Sequence, residues 1–127
     1  MIATARPMRE AFADIRDEQS FGYRLRDFLD RFRDNPSFEL ISEEPRLLSQ
    51  SIGDNGRADA FLASTAAFLA NQHDLPEPTW TQGTSRALDK PWFAAKSHNL
   101  RMVLLQESPA AFRVRNLFVS ANALHRA

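Results

Sequence analysis

The feature that most constrains this chain is the stretch 57–72, where alanines are interleaved with larger apolar side chains at a helical period. Ala58, Phe61, Leu62, Thr65, Phe68 and Leu69 recur at spacings of three and four, which puts them along a helix face. Ala60, Ala63, Ala66, Ala67 and Ala70 add high intrinsic propensity, and their small side chains allow other helices to approach closely. Gly53-Asp54-Asn55-Gly56 in front of it is a loop, with Asp54 or Asn55 available to cap the helix.

Other helices are predicted around this one. Met8, Phe12 and Ile15 stand at i, i+4 and i+7, and Pro7 suits a first helical turn. Ser20 is a candidate cap for a second helix with Phe21, Leu25, Phe28, Leu29 and Phe32 as its apolar stripe. Arg24, Asp27, Arg31 and Asp34 lie on the other side at ion-pair spacings, and Asn35-Pro36 ends the helix because a residue before proline avoids the α region. Residues 37–52 fit either short helices or turns. After a proline-rich loop at 73–80, Ser85 to Leu88 reads as one turn. Ser97 can cap a helix carrying Leu100, Val103 and Leu104, and Ser108-Pro109 opens a turn that points Phe112 inward. Leu117 to Ser120 reads as extended or as a final turn.

Several helices without an alternating βα pattern predict an all-α fold: a compact single-domain helical bundle of five to six helices with irregular proline-rich loops over residues 1–127. Within it, 1–56 would form acidic N-terminal helices, and 57–127 a helical core with a loop-rich basic end. Ten of the aromatic residues are Phe, which has no polar handle and belongs in a core or interface. Net charge is zero but segregated: nine Arg/Lys against 14 Asp/Glu in residues 1–78, and seven against two in 79–127. Either the halves neutralise each other by packing, or the basic half faces an acidic partner or nucleic acid. Absence of cysteine excludes disulfides and thiol chemistry, and the N-terminus lacks the pattern of a signal peptide. No apolar run approaches the length of a membrane span, so no membrane role and a cytoplasmic location are expected.

Motifs for chemistry are sparse. His73, His98 and His125 are not at metal-ligand spacing, and the four glycines form no phosphate-binding loop, so neither metal nor cofactor is expected. Glu43-Glu44 reads as a charge pair near a helix start, Ser108 as cap chemistry, and Ser120 lies in no GxSxG. Residues 68–90 loosely imitate a helix-turn-helix, which makes a DNA-binding regulator an alternative; Pro76, Pro78 and Gly83 interrupt its second helix. An enzyme with an unrecognised site is a further alternative, requiring Glu107, Arg113, Asn116 and His98 to converge.

The segment from Glu107 to Leu124 is the densest chemically. Arg113 and Arg115 are two apart and diverge on a helix, so one is expected to pair with an internal carboxylate such as Glu107 and the other to meet a partner. The segments Leu75-Pro76-Glu77-Pro78-Thr79-Trp80-Thr81, Pro91-Trp92-Phe93, and Glu107-Ser108-Pro109 through Phe112-Arg113-Val114-Arg115-Asn116-Leu117-Phe118-Val119-Ser120 resemble a family of small bacterial proteins common in actinobacteria. Members of that family are often encoded beside nucleotidyltransferase-like or other toxin–antitoxin genes. The resemblance covers roughly residues 57–127 and implies an antitoxin-like or accessory role, with no catalytic residues. The reading that follows is a non-enzymatic protein-interaction module that meets a protein partner, such as a toxin, through Trp80, Trp92, Arg113, Arg115 and Asn116. A homo-oligomer is compatible with it.

Overall fold

The computed structural model describes residues 6–124, which are mostly helical. Its α-helices are α1 (Met8–Ala11), α2 (Glu18–Asp34), α3 (Ser49–Ile52), α4 (Arg57–Gln72), α5 (His98–Glu107) and α6 (Ala110–Arg113). Two short strands, β1 (Trp92–Phe93) and β2 (Leu117–Phe118), complete the set, with 3-10 turns at Phe38–Leu40, Thr79–Gln82 and Thr84–Arg86.

The alanine-rich segment forms α4 over the expected residues, and all its side chains from Ala58 to Ala70 except those of Phe61 and Phe68 are buried. The small side chains let α6, α3 and two of the 3-10 turns pack against it. Asp54 caps it, its carboxylate accepting from the backbone N–H of Gly56 (3.1 Å) and Ala58 (2.7 Å). Phenylalanines join the layers: Phe61 meets Phe21 and Phe112 edge-on at 6.3 and 5.1 Å, and Phe12 sits 5.6 Å from Phe21. One apolar cluster runs through these residues from Met8 to Leu124.

Two local expectations are corrected, and one open segment takes a definite form. α2 is capped by Asp17, not Ser20: Asp17 is extended and its carboxylate accepts from Ser20 N–H at 2.7 Å, using the acid that best suits the positive helix start. α1 stops at Ala11 although Met8, Phe12 and Ile15 are all buried. The carbonyls freed by its early end are taken by arginines, Ala11 by Arg24, and Ala13 and Ile15 by Arg46. Residues 44–48 form no turn of helix because their backbone is tied elsewhere: Pro45 O accepts from Arg86, and Leu48 N–H donates to Asp59 at 2.6 Å.

The strands pair in parallel, Trp92 with Leu117 and Phe93 with Phe118, a feature absent from the all-α expectation. Parallel strands need a long crossover, and here the crossover carries α5 and α6. The ribbon is lengthened by Leu88 N–H to Arg115 O (3.1 Å) and Ala94 N–H to Phe118 O (3.0 Å). It fixes where α5 leaves the body and where it returns. No helix is long and apolar enough to cross a membrane among the described residues.

Candidate interaction surface

Three of the five residues expected to meet a partner are structural. Trp80 is half-buried; its indole N–H donates to Ile41 O at 2.8 Å and the Arg86 guanidinium covers its ring at 4.9 Å. Arg115 is 6% exposed: Nε and Nη2 donate to Thr81 O (3.2 and 3.0 Å), Nη1 donates to Ala111 O (2.6 Å), and Glu77 lies 3.8 Å away. Burial pushes its pKa below the usual arginine value, with the Glu77 charge acting in the opposite sense. Asn116 takes a left-handed backbone (φ 65°), and its side-chain amide donates to Leu88 O at 2.7 Å while its own carbonyl accepts from Trp92 N–H. Turns and chain crossings leave carbonyls without helical partners, and arginine, with five N–H groups, can satisfy several at once. That demand accounts for the placement of Arg115 and Asn116.

Arg113 is exposed, and it pairs with carbonyl oxygens instead of Glu107. Its Nη2 donates to Ser108 O (2.7 Å) and Gln106 O (3.3 Å), which closes the C-terminal end of α5 with a cation, as the helix dipole favours. Glu107 accepts from Ala121 N–H instead. Trp92 is half-buried beneath Arg57, whose guanidinium is 4.8 Å from its ring and 2.6 Å from Glu18.

The surface that sequence reasoning missed is α5 itself. Ser97 caps it as expected, accepting from Leu100 N–H at 3.2 Å. It carries Leu100, Val103 and Leu104 as expected, yet only Leu104 is buried. Leu100, Met102, Val103 and Leu105 are 56, 45, 47 and 40% exposed. At about 100° per residue, Leu100, Val103 and Leu104 share one side of the helix, and Met102 and Leu105 the opposite one. Arg101 occupies the seam between them, its guanidinium 5.3 Å from the Phe93 ring and its Nε bonded to Ala95 O. A helix apolar on both sides is normally buried on both. The signal was present in the sequence as more apolar positions than one face can hold.

What anchors α5 is narrow. Ser108 at its end is buried; its hydroxyl accepts from Val119 N–H (2.9 Å) and donates to Leu104 O (2.6 Å), pinning the helix to β2. Beside its start, a cleft of about 690 Å³ is lined by Trp92, Phe93, Lys96 and Arg101 among others. A second cleft of about 550 Å³ shares Trp92 and runs to Asp54, Arg57, Asp89 and Lys90. Asp54 already occupies the positive start of α4 there, and Arg57 already holds Glu18, so these groups do not await an anion.

His98 and Glu107 are exposed at opposite ends of α5, about 14 Å apart by helix rise, while Asn116 is committed to Leu88; the four residues of the enzyme alternative do not converge. No recognition helix follows α4: residues 79–86 form two 3-10 turns and Arg86 is fully buried, so the helix-turn-helix imitation fails at its second helix, where the prolines and Gly83 stand. His73 packs edge-on against Phe32 at 5.4 Å, and His125 lies outside the described residues. Among the described residues no three His, Asp or Glu side chains are grouped to hold a metal ion. No family model, curated protein or solved structure matches the chain.

Proposed function

We propose that this chain is a non-enzymatic protein-interaction module, antitoxin-like or accessory to a toxin, that grips its partner with α5 and the adjoining segment 92–96. The observation that carries this reading is the exposure of four of the five apolar side chains of α5. Exposed apolar side chains gathered on one helix of a small protein mark a place that something else covers. Of the expected contact residues, Trp92 lines the cleft beside the start of that helix and Arg113 closes its far end. The other three belong to the scaffold, a helical bundle in this reading. The resemblance of residues 57–127 to proteins encoded beside toxin–antitoxin genes supports a toxin as the partner, and the lack of cysteine is in keeping with action in the cytoplasm.

Co-expression with the product of the neighbouring gene tests the proposal. Tagged wild-type chain is expected to retain that product, and the exposed double variant Leu100→Ser/Val103→Ser to lose it while melting at an unchanged temperature. Equal retention by both proteins would overturn the reading.

A further inference from the structure

We infer that the partner of α5 is an acidic amphipathic helical element that packs along the Leu100 and Val103 side of the helix; this deepens the interaction reading and rests on it. The ground is charge. Lys96 precedes α5, Arg101 lies on its seam, and Arg113 closes its far end. Among the described residues none of the three has a carboxylate within ion-pair distance. The apolar residues of α5 are therefore bracketed by cations along its whole length, and Glu107 is the only acid on the helix. A covering surface that supplies leucine-like side chains flanked by carboxylates meets both demands, burying the apolar atoms and neutralising the rim.

Two other occupants fit less well. A second copy docked through the same helix about a two-fold axis would bring Arg101, Lys96 and Arg113 of each chain toward their own kind. An anionic lipid surface is flat, whereas Leu104, on the same side of α5 as Leu100 and Val103, is covered by the body, so this side does not stand clear of the protein. A single helix can follow that border.

The test uses the full chain, labelled with nitrogen-15, titrated with a synthetic peptide of about 18 residues, long enough to be helical. The peptide carries leucine at i, i+3, i+4 and i+7 with glutamates flanking the stripe, and a twin replaces every glutamate by lysine. Saturable shifts confined to α5, segment 92–96 and Arg113 are expected with the acidic peptide, and at least about ten-fold weaker binding with the twin. Lys96→Glu/Arg101→Glu should reverse that preference, and Leu100→Ser/Val103→Ser should abolish both responses without lowering the melting temperature. Equal binding of the two peptides, or none, overturns the inference. So does sedimentation with phosphatidylserine vesicles in the absence of peptide binding, or a dimer that Val103→Asp dissociates. The parent reading fails separately: if the neighbouring gene product is lost with Leu100→Ser/Val103→Ser but held by Lys96→Glu/Arg101→Glu, only the acidic character of the partner is wrong.

Discussion

Arg86 is the largest fully buried side chain in the structure, and its surroundings explain how a cation can be there. Its Nε donates to Glu44 at 3.1 Å, its Nη1 to Asp59 O at 3.3 Å, and its Nη2 to Pro45 O. The Asp59 carboxylate lies 3.7 Å away and itself accepts from Leu48 and Ser49 N–H. Burial nevertheless raises the Asp59 pKa above its ordinary 3.8, with the bond from Leu48 N–H and the Arg86 charge opposing the rise. The folded state thus holds that proton more tightly than the unfolded chain, and the stability linked to it falls as pH rises through the window above 3.8. Asp17 behaves oppositely: hydrogen bonding from Ser20 lowers its pKa, so its contribution is full above 3.8 and is lost as pH falls through the lower folded value. Asp59→Asn is expected to cost about 2 kcal/mol at neutral pH, because the amide can serve only part of this network. In urea titrations the gap between wild type and Asp59→Asn should widen as pH drops from 7 towards 4. The gap for Asp17→Asn should narrow below pH about 4. Gaps that move in the same direction would show that one of the two environments is misread.

At the scale of elements, α4 and α5 make a contrast. Both are rich in apolar residues, yet one is enclosed and the other covered only at Leu104. Leu104→Ala should therefore cost about 2–3 kcal/mol by opening a gap against β2, while Leu100→Ser and Val103→Ser should each stay within about 0.5 kcal/mol of wild type in the same denaturation assay. A large loss from either surface variant would mean that α5 packs on the body more fully than its exposures indicate. This contrast also marks what was readable beforehand. The bounds of α4, the end of α2 at Asn35 and the Ser97 cap follow from local chemistry, and local chemistry is in the sequence. The neighbours of α5 are not: periodicity counts apolar positions but cannot say how many sides of a helix the rest of the fold will cover. The parallel ribbon was hidden for a related reason. Its two strands are two residues each, too short for alternation to register, and they are held by backbone bonds across a crossover from residue 94 to 116. The roles of Trp80, Arg115 and Asn116 were equally out of reach, since the carbonyls they serve belong to turns whose positions depend on distant segments.

For the molecule as a whole, the charge split resolves into two uses. Arg86 and Arg115 from the basic end reach back to Glu44, Asp59 and Glu77 of the acidic end and are buried in doing so, so part of the segregation ties the two ends of the chain together. Lys90, Lys96, Arg101 and Arg113 remain at the surface, three of them beside α5. Buried pairs are screened little by salt, whereas exposed charges more than a Debye length apart are screened almost fully, and that length shrinks from about 10 Å at 0.1 M to about 3 Å at 1 M. The two uses are therefore separable in one protein. Arg115→Met should destabilise by about 3 kcal/mol, because Glu77 and several carbonyls lose a common donor, and the loss should persist at high salt. Arg113→Ala should leave the unfolding midpoint within about 1 kcal/mol of wild type, since it removes only an exposed helix-end cation. It should nonetheless weaken capture of the partner, and raising salt should weaken capture by the wild type in the same way while leaving the unfolding midpoint nearly unchanged. Capture that resists salt, with a midpoint that collapses in it, would reverse the assignment: the exposed cations would then serve the fold and the buried arginines the partner.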